Sequence, residues 1–159
     1  MRIRLILSGL ALCLSSCLSL VFIKNPLSSE EHLNLGYIYE RQGKAELAEQ
    51  EYRKAIKKDK KNWLAYYNLG NIYMGKGKWE EAEEHYRKAL EIRRDPDAMN
   101  NLAYLLNRKG EHCEAFELIR EALRKAQRRE YMETREEIEK ALKERDVKCS
   151  HLEGEGELW

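Results

Sequence analysis

The chain repeats itself about every 34 residues. HLNLGYIYERQGKAELAEQEYRKAI begins at His32, YYNLGNIYMGKGKWEEAEEHYRKAL at Tyr66 and MNNLAYLLNRKGEHCEAFELIREAL at Met99. Leu35, Leu69 and Leu102 align, as do Gly36, Gly70 and Ala103; Gly43, Gly77 and Gly110; Ala48, Ala82 and Ala115; and Ala55, Ala89 and Ala122. Such self-similarity restricts the chain to stacked units, none of which can bury its apolar face alone, and about three copies are the minimum for a stable stack. Within each copy, two stretches of about a dozen residues flank a glycine. Helices of that length depend on tertiary burial, and the glycine can take the left-handed turn that ends the first of them.

Other local signals agree. Only two prolines occur among 159 residues, and Glu, Lys, Arg, Leu and Ala dominate, a composition that favours helix. Ser28 with Glu31 has the spacing of a capping box, and Asp95-Pro96 reads as an N-cap followed by a first-turn proline. The expected fold is all-α: a right-handed solenoid of three helix pairs over 29–62, 63–95 and 96–127. Tyr131 to Asp146 carries Tyr131, Ile138, Ala141 and Leu142 on one stripe amid charge, so a capping helix is expected over 128–147, followed by a flexible acidic tail over 148–159. A hydrophobic helix over 1–23 and a linker over 24–28 precede the repeats.

The repeat resembles the tetratricopeptide repeat, TPR, whose signature is W-x2-L-G-x2-Y, then A-x3-F, then P. The second copy fits best, with Tyr66, Leu69, Gly70, Tyr73, Ala82 and Tyr86; the first has His32 where Trp is usual, and the third is looser, with Met99, Ala103, Leu106 and Ile119. The helix-ending Pro is missing after the first copy and arrives late, as Pro96, after the second. The resemblance covers about residues 29 to 127. It implies a non-enzymatic scaffold that binds a partner peptide or helix in a concave groove, without cofactor.

Helix phase identifies the groove residues. The side of each first helix opposite its partner carries Leu33, Asn34, Tyr37 and Arg41, then Tyr67, Asn68, Asn71 and Met74, then Asn100, Asn101, Tyr104 and Arg108. Amides donate to and accept from a peptide backbone, and tyrosines add flat apolar area with a polar tip. The candidate site is Asn34, Tyr37, Tyr67, Asn68, Asn71, Asn101, Tyr104 and Arg108. Asn34, Asn68 and Asn101 also match the family consensus, so Tyr37, Tyr67, Asn71 and Tyr104 carry more of the expected specificity. The family's carboxylate-clamping lysines and arginines are replaced by Leu33, Tyr37, Asp97 and Asn101, which argues against a partner held by its C-terminal carboxylate.

Charge excludes some functions. With 29 basic and 28 acidic residues, the formal charge is +1, and no global field draws the chain to nucleic acid or anionic lipid. RKAQRR, Arg124 to Arg129, is the charged end of a helix. No phosphate loop, metal-binding helix motif or catalytic triad pattern occurs, so no enzyme is expected. Cys113 sits at the start of the sixth helix, and the capping helix runs back to bring Cys149 near it. The pair is a candidate disulfide in an oxidising compartment. Two free thiols, a thiol redox protein and a zinc site with His112 and His151 are the alternatives, though the lack of C-x-x-C weighs against redox chemistry.

The first 23 residues differ from the rest. Arg2 and Arg4 precede an uncharged run from Leu5 to Ile23, the pattern of a signal peptide or membrane anchor. LSSC, ending at Cys17, resembles a bacterial lipobox, which implies lipidation of Cys17 and a periplasm-facing body tethered to the membrane. The apolar LSLVFI beyond Cys17 supports the other reading, an uncleaved anchor. A soluble secreted protein is the third reading, and all three keep Arg2 and Arg4 on the cytoplasmic side. Leu18 lacks the Asp that marks inner-membrane retention, which leans towards the outer membrane. Assistance in envelope assembly is the expected task, and a self-associating spacer is the alternative.

Overall fold

The computed structural model describes residues 26–149. Among them, seven helices and no strand follow in order: α1 (Ser29–Arg41), α2 (Ala45–Lys58), α3 (Trp63–Gly75), α4 (Trp79–Ile92), α5 (Pro96–Lys109), α6 (His112–Lys125) and α7 (Arg129–Glu144). They form three helical hairpins, α1–α2, α3–α4 and α5–α6, stacked in sequence order, with α7 packed on α6 and α5. No described helix is long and apolar enough to cross a membrane. The segment bearing Cys17 and the acidic tail from 150 lie outside the described residues.

Three of the helices begin at side-chain caps. Ser28 Oγ accepts from the Glu31 amide at 3.2 Å while Glu31 Oε2 accepts from the Ser28 amide at 2.7 Å, a complete capping box. Asn62 and Asp95 cap α3 and α5 by accepting from Ala65 N at 3.0 Å and Asp97 N at 3.0 Å. Between the helices of each hairpin, Gly43, Gly77 and Gly110 adopt φ of 71°, 68° and 88°. Only glycine takes that conformation without steric cost.

Inside the first two hairpins the decisive contact is a tyrosine ring packed against a glycine. The nearest atoms to Gly36 and Gly70 belong to Tyr52 and Tyr86. A Cβ on Gly36 would lie 2.5 Å from Tyr52 Cε1, and one on Gly70 would lie 2.4 Å from Tyr86 Cε1. In the third hairpin the glycine slot holds Ala103 and the tyrosine slot holds Ile119, both fully buried. A larger residue on one helix is matched by a smaller one on the other, as close packing requires.

The hairpins join through a continuous core and recurring ion pairs. Tyr52, Leu69, Tyr86, Leu102, Leu106, Ile119 and Ile138 are among the fully buried side chains that run the length of the stack. Across the first junction Lys76 Nζ lies 2.8 Å from Glu49 Oε2, and across the second Lys109 Nζ lies 2.5 Å from Glu83 Oε2, the same pair one repeat later. Burial alone would raise the Glu49 carboxyl, but hydrogen bonds from Lys76, Tyr73 and Arg53 outweigh it and hold the group at about 2. Ser29 Oγ donates to Ala55 O at 2.9 Å and accepts from Asn62 Nδ2 at 2.8 Å, which ties the cap of α3 to the first hairpin.

The two helical glycines of α3 give a test of opposite sign. Gly70→Ala gains about 1 kcal/mol of helix propensity but forces its methyl into Tyr86, an overpacking of about 1–3 kcal/mol. Gly75 has open space where a Cβ would stand. Urea titration of the two variants should show Gly70→Ala less stable than the parent and Gly75→Ala equal or more stable. A stabilised Gly70→Ala would contradict the packing described.

Candidate protein-interaction groove

The first helices of successive repeats lie side by side and present one face, as their phase requires. Asn34 and Tyr37 on α1, Asn68 and Asn71 on α3, and Asn101, Tyr104 and Arg108 on α5 all occupy this side. Tyr37 is 55% exposed, the most open large apolar side chain among the described residues. Tyr67 is half-buried, and burial is the main reason its phenol is pushed up from the ordinary value. Arg108 is exposed and joins no ion pair among the described residues.

A hydrogen-bond network fixes the centre of the face. Asn71 Oδ1 accepts from the Tyr86 hydroxyl at 2.8 Å and from Asn101 Nδ2 at 2.9 Å, and the Tyr67 hydroxyl accepts from Asn101 Nδ2 at 3.3 Å. The same Tyr86 that packs on Gly70 therefore holds a groove amide in place. Burial above all keeps its phenol protonated far above the usual range. In the first hairpin, Tyr52 repeats the arrangement, donating to Glu40 Oε2 at 2.6 Å. Two of the consensus-like asparagines thus differ in role: Asn101 is engaged inside the network, while Asn34 is exposed on α1.

Part of the face is a cavity of about 390 Å³ between α3, α5 and α7. Of the eight predicted groove residues, Asn71, Asn101 and Tyr104 line it, together with Met74, Tyr86 and Asn100. Asn34, Tyr37, Tyr67, Asn68 and Arg108 lie outside its lining. The other wall consists of Glu130, Glu133, Thr134 and Glu137 of α7. Sequence reasoning missed these four because it treated α7 as a cap with a solvated outer face.

The signal was nevertheless in the register. Counting 33 residues on from Asp97, Asn100, Asn101 and Tyr104 reaches Glu130, Glu133, Thr134 and Glu137. The same step takes buried Ala98 and Leu105 to buried Tyr131 and Ile138. Thus α7 stands where the first helix of a fourth repeat would stand. Its start is anchored on Asp97, whose Oδ1 accepts from Arg128 Nη1 at 2.6 Å and from the Tyr131 hydroxyl at 2.5 Å.

Three family profiles match the chain: "Tetratricopeptide repeat" over residues 63–96, "TPR repeat" over 36–77, and a second profile described as "Tetratricopeptide repeat" over 97–129. The chain is built of tetratricopeptide repeats. Solved structures agree on the fold of the stack. The Arabidopsis OM64 TPR domain superimposes with a TM-score of 0.66 at 21% identity, covering 70% of this chain and 94% of that one. YrrB, a TPR protein with an unusual peptide-binding site, gives 0.67 at 23%, covering 74% and 60%. The first TPR of Spaghetti (RPAP3) bound to HSP90 peptide SRMEEVD gives 0.69 at 21%, covering 72% and 93%. No curated protein matches the chain significantly in sequence.

The far end of the tetratricopeptide stack is fastened covalently. A disulfide joins Cys113 of α6 to Cys149, just beyond α7, with Cα atoms 5.4 Å apart. Bonded to each other, the two sulfurs are not available as zinc ligands, and His151 lies outside the described residues. Beside them His112 is buried, with Nδ1 2.7 Å from Asn107 Oδ1. Burial, and then the nearby Arg145 cation, push it below its ordinary value.

Since the bond closes a loop of 36 residues in sequence separation, Cys149→Ser should cost about 2–4 kcal/mol. Urea unfolding of the parent under reductant should shift to the midpoint of the variant, and the variant should not respond to reductant. A parent indifferent to reductant would contradict the bond.

Proposed function

We propose that this protein is a non-enzymatic scaffold that holds a peptide or helix of a partner protein in its concave groove, tethered to a bacterial membrane on the periplasmic side. The observation that carries the groove reading is the Asn71–Asn101–Tyr86 network, which fixes polar side chains around a cavity open to solvent. Preorganised amides lose little entropy on binding, so a small groove still gains affinity. Support also comes from YrrB, which has a peptide-binding site, and from Spaghetti, which carries a bound peptide. The tether rests on the sequence: Arg2, Arg4, the uncharged run to Ile23 and LSSC before Leu18. Envelope assembly is the task that such a tethered scaffold would serve, and tethering would raise the effective concentration for a weak partner.

One observation favours a second reading, a self-associating spacer. Ile38 is 49% exposed, whereas Ile72 and Leu105 in the same register are buried. Leu47 occupies the slot of Glu114, which pairs with Arg87 of the preceding hairpin, and it is 39% exposed. The first repeat therefore presents an apolar end where the others meet a neighbour, and a second copy could cover it.

Two measurements on the full-length chain test these readings. Radiolabelled palmitate in a bacterial host should enter the parent and not Cys17→Ser, with an intact mass that starts at lipidated Cys17; an unlabelled parent retaining all residues contradicts lipidation. A photo-crosslinking residue at position 104 should capture a partner in those cells that the same residue at Lys57, on α2 away from the groove, does not. Equal capture at both positions contradicts the groove reading. Capture of the chain by itself, lost on Ile38→Glu, would establish the spacer instead.

A further inference from the structure

The cavity between α3, α5 and α7 has a chemical bias that the sequence reading did not anticipate. Glu130, Glu133 and Glu137 follow one another at helical spacings of three and four residues, so their carboxylates share one face of α7. No lysine or arginine lines the cavity. Glu130 and Glu137 join no ion pair among the described residues. Glu133 is met by Arg129 at 3.3 Å, but Arg129 is 84% exposed, so that pair is weak and easily exchanged.

The opposite wall is made of amides and tyrosines. Asn71 Oδ1 is already taken by Tyr86 and Asn101. Asn100 Oδ1 is buried with no hydrogen-bond partner. A buried acceptor left in that state costs free energy until a donor arrives. Between the walls, Met74 and Tyr104 supply apolar surface. The cavity thus presents three carboxylates on its α7 wall, apolar surface beside them and no cation in its lining.

We propose that this cavity takes a lysine or arginine side chain of the partner segment. The stem lies along Met74 and Tyr104, and the cationic head sits among the carboxylates of α7. An ammonium offers three donors and a guanidinium five, with no acceptor, and long basic side chains bury their stems while keeping the charge polar-solvated. A metal ion is a poor occupant, because no group of three or more potential ligands is gathered to hold one among the described residues. The chain's own tail is also a poor occupant, since Glu153, Glu155 and Glu157 carry the wrong sign. This inference rests on the groove reading and names the chemistry of its partner: a basic segment, opposite in character to an acidic peptide such as SRMEEVD.

The test selects a random decapeptide library, displayed on phage, against the full-length chain kept in non-ionic detergent. Selection is repeated against Glu130→Gln/Glu133→Gln/Glu137→Gln and against Tyr104→Ala. All three glutamates are exposed, so the triple variant keeps its core. The expected result is enrichment of Lys or Arg at one position of the parent's binders, with synthetic copies bound about tenfold more weakly by the triple variant and at high salt. Binders without a cationic position, lost on Tyr104→Ala, would overturn the inference and leave the groove reading intact. Cationic binders that hold the triple variant as tightly as the parent would also overturn it. A parent that selects nothing would overturn both.

Discussion

Two of the three hairpins rest on a tyrosine ring packed against a residue without a side chain. Tyr52 on Gly36 and Tyr86 on Gly70 bring the two helices of a hairpin closer than a Cβ allows. That approach has two consequences. It buries a large apolar area in units too short to be stable alone. It also carries each phenol hydroxyl through the hairpin to the far face, where it donates to Glu40 or Asn71. Core packing and groove geometry are therefore ends of the same side chain. In the third hairpin Ile119 replaces the tyrosine, and no hydroxyl reaches the groove from there.

The groove's chemistry then follows from which helices face it. Phase puts asparagines and tyrosines on α3 and α5, and hydrogen bonds among Asn71, Asn101, Tyr67 and Tyr86 hold them. Continuation of the 33-residue register adds α7 as a further wall with carboxylates rather than amides. Asp97 anchors the start of α7 through Arg128 and Tyr131, and the Cys113–Cys149 bond anchors the chain just past its end. A helix fastened at both ends is a wall of fixed position.

Much of this was legible in the sequence because repeats average out local ambiguity. Three copies in phase fixed the helix pairs, the turn glycines and the asparagine face; Ser28 with Glu31 and Asp95 with Pro96 marked two helix starts. What escaped was contact across a hairpin. Spacing alone does not reveal that Tyr52 is the nearest neighbour of Gly36, because Ala48 and Tyr52 both lie on the inner face of α2 four residues apart. The pairing of Ala103 with Ile119, where the other copies have Gly with Tyr, was the available clue. The α7 wall escaped for a different reason. Its apolar residues match those of α5 only in part, and its charge reads as a solvated cap until Asp97, Asn100 and Tyr104 are carried forward by one repeat. Nothing described bears on Cys17, so the membrane tether stands on the residues of LSSC and the run around them.

The central claim is that α7 is a structural member of the stack and a wall of the groove. Hydrogen exchange on the native, disulfide-bonded chain tests it most directly. The account predicts that the amides around Ile138 and Leu142 of α7 are protected to the same degree as those around Leu102 and Leu106 of α5, because both open only when the stack opens. Exchange of α7 orders of magnitude faster than α5 would show a frayed appendage, and the groove would then lose its acidic side.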